Sequence, residues 1–384
     1  MAAEQNDNHK KSDLSRAYTE DGYRKTHVGG QALLEGVMMR GTYNWAVGVR
    51  TPEGEVYTEE HDLASGLEKN KWMYWPLIRG CRALVESLTL GYRALEIATQ
   101  HAFGDDDDEE QNKNETSLKE SSELDSPVAT EEESEAEPIF GKREMIISLI
   151  LGVFLAVALF VVIPAVITNL IVGEYDQNTV VWNIVDGILR VFVFVFYLWL
   201  VGRMKDIQRM FGYHGAEHKT IHCYEHGLEL TPENAKKFPR LHVRCGTAFM
   251  IMVMIIAIFV YSVTPINSLI AALGVPDGAL KLILVICVRI LLLPLIAGIS
   301  YEITVKWAGS RPDNLLVKIL LWPGMQMQFL TTREPDDSQI ECAIAAMQCV
   351  LEREELEAGK TKAQEDEPEP SETVEKGSPN VILS

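Results

Sequence analysis

Four stretches of the chain are apolar for about the length of a membrane-spanning helix. No charged residue occurs from 145 to 173, and a run of about 20 apolar residues is what a bilayer core of roughly 30 Å asks of a helix. The predicted spans are 146–168, 183–202 (with Asp186 and Arg190), 245–264 (uncharged) and 280–300 (with Arg289). A fifth apolar piece, 314–330, is interrupted by Lys318, Pro323 and Gly324 and reads as interfacial or re-entrant. Between the spans, 203–244 carries eight Lys or Arg, whereas 174–182 and 265–279 carry none. By the positive-inside bias this predicts a multi-pass cell-membrane protein with both termini and the 203–244 loop in the cytoplasm. The first 26 residues have no apolar core, so a cleavable leader is not expected and that segment reads as disordered.

Ahead of the spans, residues 27–103 form a cytoplasmic α+β segment with a pattern of its own. GVRTPEGEVYTEEH predicts two strands around a turn in which Gly54 takes positive φ, and Trp72 to Gln100 repeats apolar residues at helical spacing, for packing beneath the spans or lying on the membrane surface. GGQALLEGVMMRG is an apolar core bracketed by glycines; within it Gln31, Glu35 and Arg40 are polar, and Glu35 is placed to pair with Arg40 or reach the histidine loop. The fold class is thus mainly α: a polytopic helical membrane domain, 139–357, closed by a helix at 338–357 and preceded by this α+β segment.

The formal charge of −20 changes the picture less than it suggests. Residues 104–138 hold fifteen acids and two lysines, and 352–384 hold ten acids and four bases. With so little to bury, 104–138 and 358–384 read as disordered. The rest is nearly neutral, which excludes an acidic soluble enzyme, and no basic stripe with interleaved aromatics suggests nucleic acid as a partner. The bilayer is the expected partner, with a homo-oligomer or a soluble protein also allowed. Six cysteines without a CxxC pair predict reduced thiols, Cys342 and Cys349 sharing the packed face of one helix.

The chemistry lies in YHGAEHKTIHCYEHGLELTPENAKKFPRLHVRCGT. Five of the nine histidines fall within 214–242, and His214, Glu217 and His218 form His-x-x-Glu-His, in which two imidazoles one helical turn apart hold a divalent ion, zinc by donor type, and the glutamate takes the proton of the attacking water. A catalytic site needs a third protein ligand. Glu302 is preferred, with Cys245 and His242 as the other candidates; Glu225 lies too far along the helix and is assigned to orienting a histidine. His222 and His226 read as ordinary surface residues.

The motifs GGQALLEGVMMRG, YHGAEHKTIHCYE, HVRCGTAF, ISYE and PGMQMQFLTTREPDDSQIECAIAA occur in an order that resembles the YqhQ-like family of bacterial multi-pass membrane proteins. The resemblance implies a membrane location and a metal-dependent enzyme without an assigned reaction, with His214, Glu217, His218, Glu225, His242, Arg244 and Cys245 as matching positions. The leading expectation is an integral membrane metal-dependent hydrolase acting on an amide or ester at the cytoplasmic face. Competing readings are a metal-binding transporter or sensor, for which Asp186, Arg190 and Arg289 would line a path rather than lock helices, and a membrane scaffold that docks a soluble protein.

Overall fold

The computed structural model describes residues 27–63, 71–102, 142–173, 179–243, 245–264, 266–276, 278–308 and 314–365. The predicted disorder at 1–26, at 104–138 and beyond 365 lies outside the described residues.

Four strands, β1 (Gly29–Leu33), β2 (Gly36–Arg40), β3 (Asn44–Arg50) and β4 (Val56–Asp62), form an antiparallel meander in chain order. The β3–β4 hairpin follows from its turn, where Gly54 has φ 90°. The β1–β2 hairpin is not evident in the sequence. Its turn uses Glu35 at φ 51°, a conformation usually left to glycine, and Glu35 is held there by Arg209 Nη2 at 2.6 Å and by the Tyr213 hydroxyl at 3.2 Å. β2 and β3 read as unbroken apolar runs because both faces of the sheet are covered. Helix α1 (Ile78–Ala102) buries Leu90, Ala94 and Ala98 against Trp45 and Val47 on one face. Val37, Met39 and Ala46 on the other face join a core with Tyr213, Ala216, Ile340, Ala343 and Met347.

Helix α2 runs through Lys142–Val157, a π-helical turn Ala158–Val162 and Ile163–Val172; Pro164, lacking an amide hydrogen, follows the widened turn. α3 is Thr179–Val201, α4 Lys205–Glu225, α5 Gly246–Val263, and α6 Ala279–Tyr301, continued by a π-helical Glu302–Ala308. α7 is Leu315–Thr331 and α8 Asp337–Glu365, which runs past the predicted end at 357. Among the described residues, three stretches are long and apolar enough to cross a bilayer: Ile150–Val172, Val180–Val201 and Leu280–Trp307. The stretch expected to span at 245–264 forms an apolar but shorter helix, α5, and 314–330 is one continuous helix with Pro323 inside it.

Among the spans, Arg289 of α6 is buried and donates to Asp186 Oδ2 at 2.7 Å and to Asn183 Oδ1 at 2.5 Å on α3, while Arg190 donates to the same Asp186 oxygen at 2.9 Å. The arrangement is an ionic lock between two helices. An unpaired arginine at the bilayer centre would cost roughly 2.5 to 3.5 kcal/mol, and the lock removes that cost.

Candidate metal centre

α4 carries His214, Glu217, His218, His222 and Glu225 along one stripe, as a spacing of three and four residues requires. Its opposite side packs on α8, and β1 flanks the stripe at Glu217, which leaves the histidines facing the segment 240–245 and the C-terminal end of α7.

Each of three histidines is oriented by a backbone carbonyl. His214 Nδ1–H donates to the Thr331 carbonyl at 2.8 Å, His218 Nδ1–H to that of Arg240 at 2.6 Å, and His222 Nε2–H to that of Leu241 at 3.0 Å. A carbonyl only accepts, so each bond places a proton on that ring nitrogen and turns the other nitrogen away from the carbonyl, that of His214 toward Cys245 Sγ. Thr331 can accept because it is the last residue of α7, where carbonyls lack helical partners. The 240–245 segment is fixed in turn by Gln328, whose Oε1 accepts from the His242 amide at 2.9 Å and whose Nε2 donates to the His242 carbonyl at 2.8 Å.

The ring nitrogens on this side fall into two groups of possible donors. His214, His218 and Cys245 offer ligand atoms that all lie within 4.8 Å of one another, and so do His222, Glu225 and His242. His218 Nε2 and His222 Nδ1 are buried without a hydrogen-bond partner. Two imidazoles and a thiolate, each histidine held by a carbonyl behind it, are the donor set and the outer support of a zinc site, so the residues fit the ion that the sequence motif implies.

The first group borders a cavity of about 840 Å³, which Glu217 and His242 also line. Glu217 lies against β1: a Cβ on Gly30 would stand 3.0 Å from the Glu217 carboxyl carbon and 2.5 Å from the Met38 carbonyl, so only glycine admits this approach, and the Gly30 amide hydrogen-bonds the carboxylate. Burial raises the Glu217 carboxyl above its ordinary range, although His218 and His214 partly oppose it. Burial alone would also raise the Cys245 thiol and lower the His214 imidazolium. The two histidines outweigh it at Cys245, which is held well below the usual thiol range, and the Cys245 thiolate, 3.2 Å from His214 Nε2, outweighs it at His214, which is raised to about 9.

The second group is closed. His222, Glu225 and His242 are all buried, with His242 Nε2 at 3.7 Å from Glu225 Oε2. Burial first, then His242, lowers His222 well below its ordinary value, so it stays neutral. The surface placement expected of His222 is therefore wrong: its turn of α4 lies under the 240–245 segment and Phe238. Glu225, expected to orient a histidine, lies beside His242 and is itself one of the possible donors of this group.

Other expectations need correction. Glu302, the preferred third ligand, accepts from Arg79 Nε at 2.6 Å and from the Leu77 amide at 3.3 Å, and is absent from both donor groups. It tethers the start of α1 to α6. Glu35 meets Arg209 rather than the centre, and Arg40 pairs with Glu86 at 2.6 Å, so the two do not pair with each other. Arg244 lies outside the described residues. Thr331, Gln328 and Gly30 were not foreseen; the one available signal was Gln328, a polar residue inside an apolar helix.

Residues 75–353 match a family described as protein of unknown function DUF1385, well over half of the chain. The chain belongs to this family. It is also 28% identical over 328 residues to the "Uncharacterized protein YqhQ" of Bacillus subtilis (strain 168), covering 85% of this chain and 93% of that protein. No solved structure matches. The DUF1385 match spans both donor groups, whereas the sheet that supplies Gly30 precedes it.

Proposed function

We propose that the protein is an integral membrane metal-dependent hydrolase whose centre is His214, His218 and Cys245, with Glu217 as general base, facing the cytoplasm. The observation that carries the reading is the convergence of three ligand atoms within 4.8 Å at the edge of a cavity that also contains a buried carboxylate. A divalent ion bound there supplies Lewis acidity, polarising a carbonyl and lowering the pKa of water. The chain supplies the rest. The carbonyls of Thr331 and Arg240 keep both imidazoles turned toward the ligand position. The Gly30 amide keeps Glu217 pointed along the cavity wall, where it accepts a proton from water and returns it to the leaving group.

The transporter reading gains little from Asp186, Arg190 and Arg289, which pair with one another and with Asn183 as a lock between two helices. One rival does have a specific observation behind it. The 3.2 Å contact between His214 Nε2 and Cys245 Sγ is also the geometry of a cysteine nucleophile with its base. The test is Glu217→Gln alongside Cys245→His in purified protein, with metal content measured by mass spectrometry and turnover measured on ester substrates. Under the proposal, Glu217→Gln retains the ion and loses about 10²- to 10⁴-fold in turnover. Cys245→His retains both ion and measurable turnover. Turnover that survives Glu217→Gln but disappears in Cys245→His makes Cys245 the nucleophile instead.

A further inference from the structure

The substrate class can be read from the rest of the cavity. Its ionisable lining, His214, Glu217, His218, His242 and Cys245, comes from α4 and the 240–245 segment; Gln31 and Ser87, hydrogen-bonded to each other, add a polar pair, and the remaining walls are mostly apolar, including Phe194 and Leu198 of the spanning α3 and Phe249 of α5. The helices that build these walls present apolar side chains outward as well: Phe154 on α2, Phe192 on α3 and Leu291 on α6 are all exposed, as bilayer-facing residues are. One wall is α1. Leu84 lines the cavity and is itself 40% exposed, and it continues into an apolar surface made by Val85 and Leu88, with Trp72 and Trp75 exposed just ahead of the helix. Tryptophans beside an amphipathic helix mark the level of lipid headgroups. The cavity thus joins the reactive end to the interfacial edge of the membrane by an apolar passage.

We propose that this cavity receives the acyl chain of a membrane lipid, with the ester carbonyl of that lipid at the His214–Glu217–Cys245 end. This rests on the hydrolase reading for its chemistry. Water adds to the ester carbonyl carbon as Glu217 accepts its proton, the acyl C–O bond breaks, and the proton passes to the departing alkoxide, giving a fatty acid and an alcohol. A lipid suits the walls better than a membrane peptide does. A helix needs a channel about 10–12 Å across, and an extended peptide would need hydrogen-bond partners that apolar walls do not offer. An acyl chain needs neither.

The experiment uses the full-length protein in phosphatidylglycerol and phosphatidylethanolamine nanodiscs spiked with a phospholipid carrying a diazirine at the end of its acyl chain. After irradiation, adducts are mapped by mass spectrometry and metal content is measured on the same sample. Adducts on Phe194, Leu198 or Phe249 are expected, together with adducts on outward-facing Phe154. Ala83→Trp, which fills the passage, should cut the wall adducts at least fivefold and leave those on Phe154 unchanged. Because that variant could misfold, a second arm keeps the wild-type protein and adds excess oleoyl lysophospholipid or a hydrophobic peptide. Displacement of wall adducts by the lysophospholipid supports the proposal. Displacement by the peptide alone, or wall adducts that follow those on Phe154 in every arm, overturns it. The readout does not depend on turnover: wall adducts without hydrolysis would count against the hydrolase and leave the lipid cavity standing, whereas bound metal without wall adducts would do the reverse.

Discussion

Two groups of three donors, anchored about two helical turns apart on α4, combine a histidine pair with a thiol in one and with a carboxylate in the other, are steadied by the same segment, and differ in access. His214, His218 and Cys245 border a cavity and have Glu217 beside them; His222, Glu225 and His242 are all buried, and of these His242 alone lines that cavity. Catalytic metal sites keep an open position and structural sites are closed. The difference has its source in what lies over each turn. Phe238 and Leu241 cover the second group, while over the first the wall is formed by helices that diverge to leave a cavity. Under the proposed function, chemistry is assigned to the open group and the closed group to the stability of the 240–245 segment on which the open one depends.

The largest effect that separates the groups is loss of the ion. His214→Ala with His218→Ala should take metal content from about one equivalent to none by mass spectrometry, because two of three ligands are gone. Unchanged metal in that variant would move the ion to the closed group and reverse the comparison. His222→Ala should do the opposite. It leaves the Leu241 carbonyl without its donor and opens a void, costing about 1 to 3 kcal/mol in chemical denaturation while the ion at the open group is retained.

The thiols sharpen the contrast through pH. In metal-free protein Cys245 is held well below its ordinary pKa, where burial is outweighed by His218 and then His214, so the thiolate persists as pH falls below the usual thiol range. Cys223 and Cys342, pushed up to about 11 by burial, remain protonated until alkaline pH. Iodoacetamide at pH 7 should therefore label Cys245 ahead of those two, and added zinc should protect it. Labelling of Cys245 that requires alkaline pH would remove the imidazolium–thiolate pair from the open group.

How much of this was legible follows from the kind of signal each part leaves. The spans come from apolar runs, and the β3–β4 hairpin from a glycine turn. The β1–β2 hairpin was hidden because a side chain distant in sequence, Arg209, holds its turn residue. His214, Glu217 and His218 were legible since both ligands lie on one helix, and spacing along a helix fixes geometry. The third member of the donor group was not, because proximity across the fold leaves no trace in spacing: Cys245, 27 residues beyond His218, and Glu302, 84 beyond it, were both candidates, and Glu302 meets Arg79 and the Leu77 amide instead. His222 was misread for a related reason. A histidine near a helix end looks exposed until the segment that returns over it is known.

The smallest expected effect tests that displaced candidate directly. Glu302→Gln removes the carboxylate that accepts from Arg79 and the Leu77 amide but leaves the amide oxygen able to keep one of these bonds. The pair is partly exposed, with side-chain exposures of 28% and 23%, so solvent screens it and the loss of stability should stay under about 1 kcal/mol. Metal content should equal that of the wild type. If Glu302→Gln instead lost the ion while His222→Ala kept it, the open group would be completed by a residue from α6, and the cavity wall would have to close on the centre by a movement of α1 away from Glu302. The two measurements together decide whether the open group is complete within α4 and the 240–245 segment, as Cys245 makes it, or borrows its last ligand from a spanning helix.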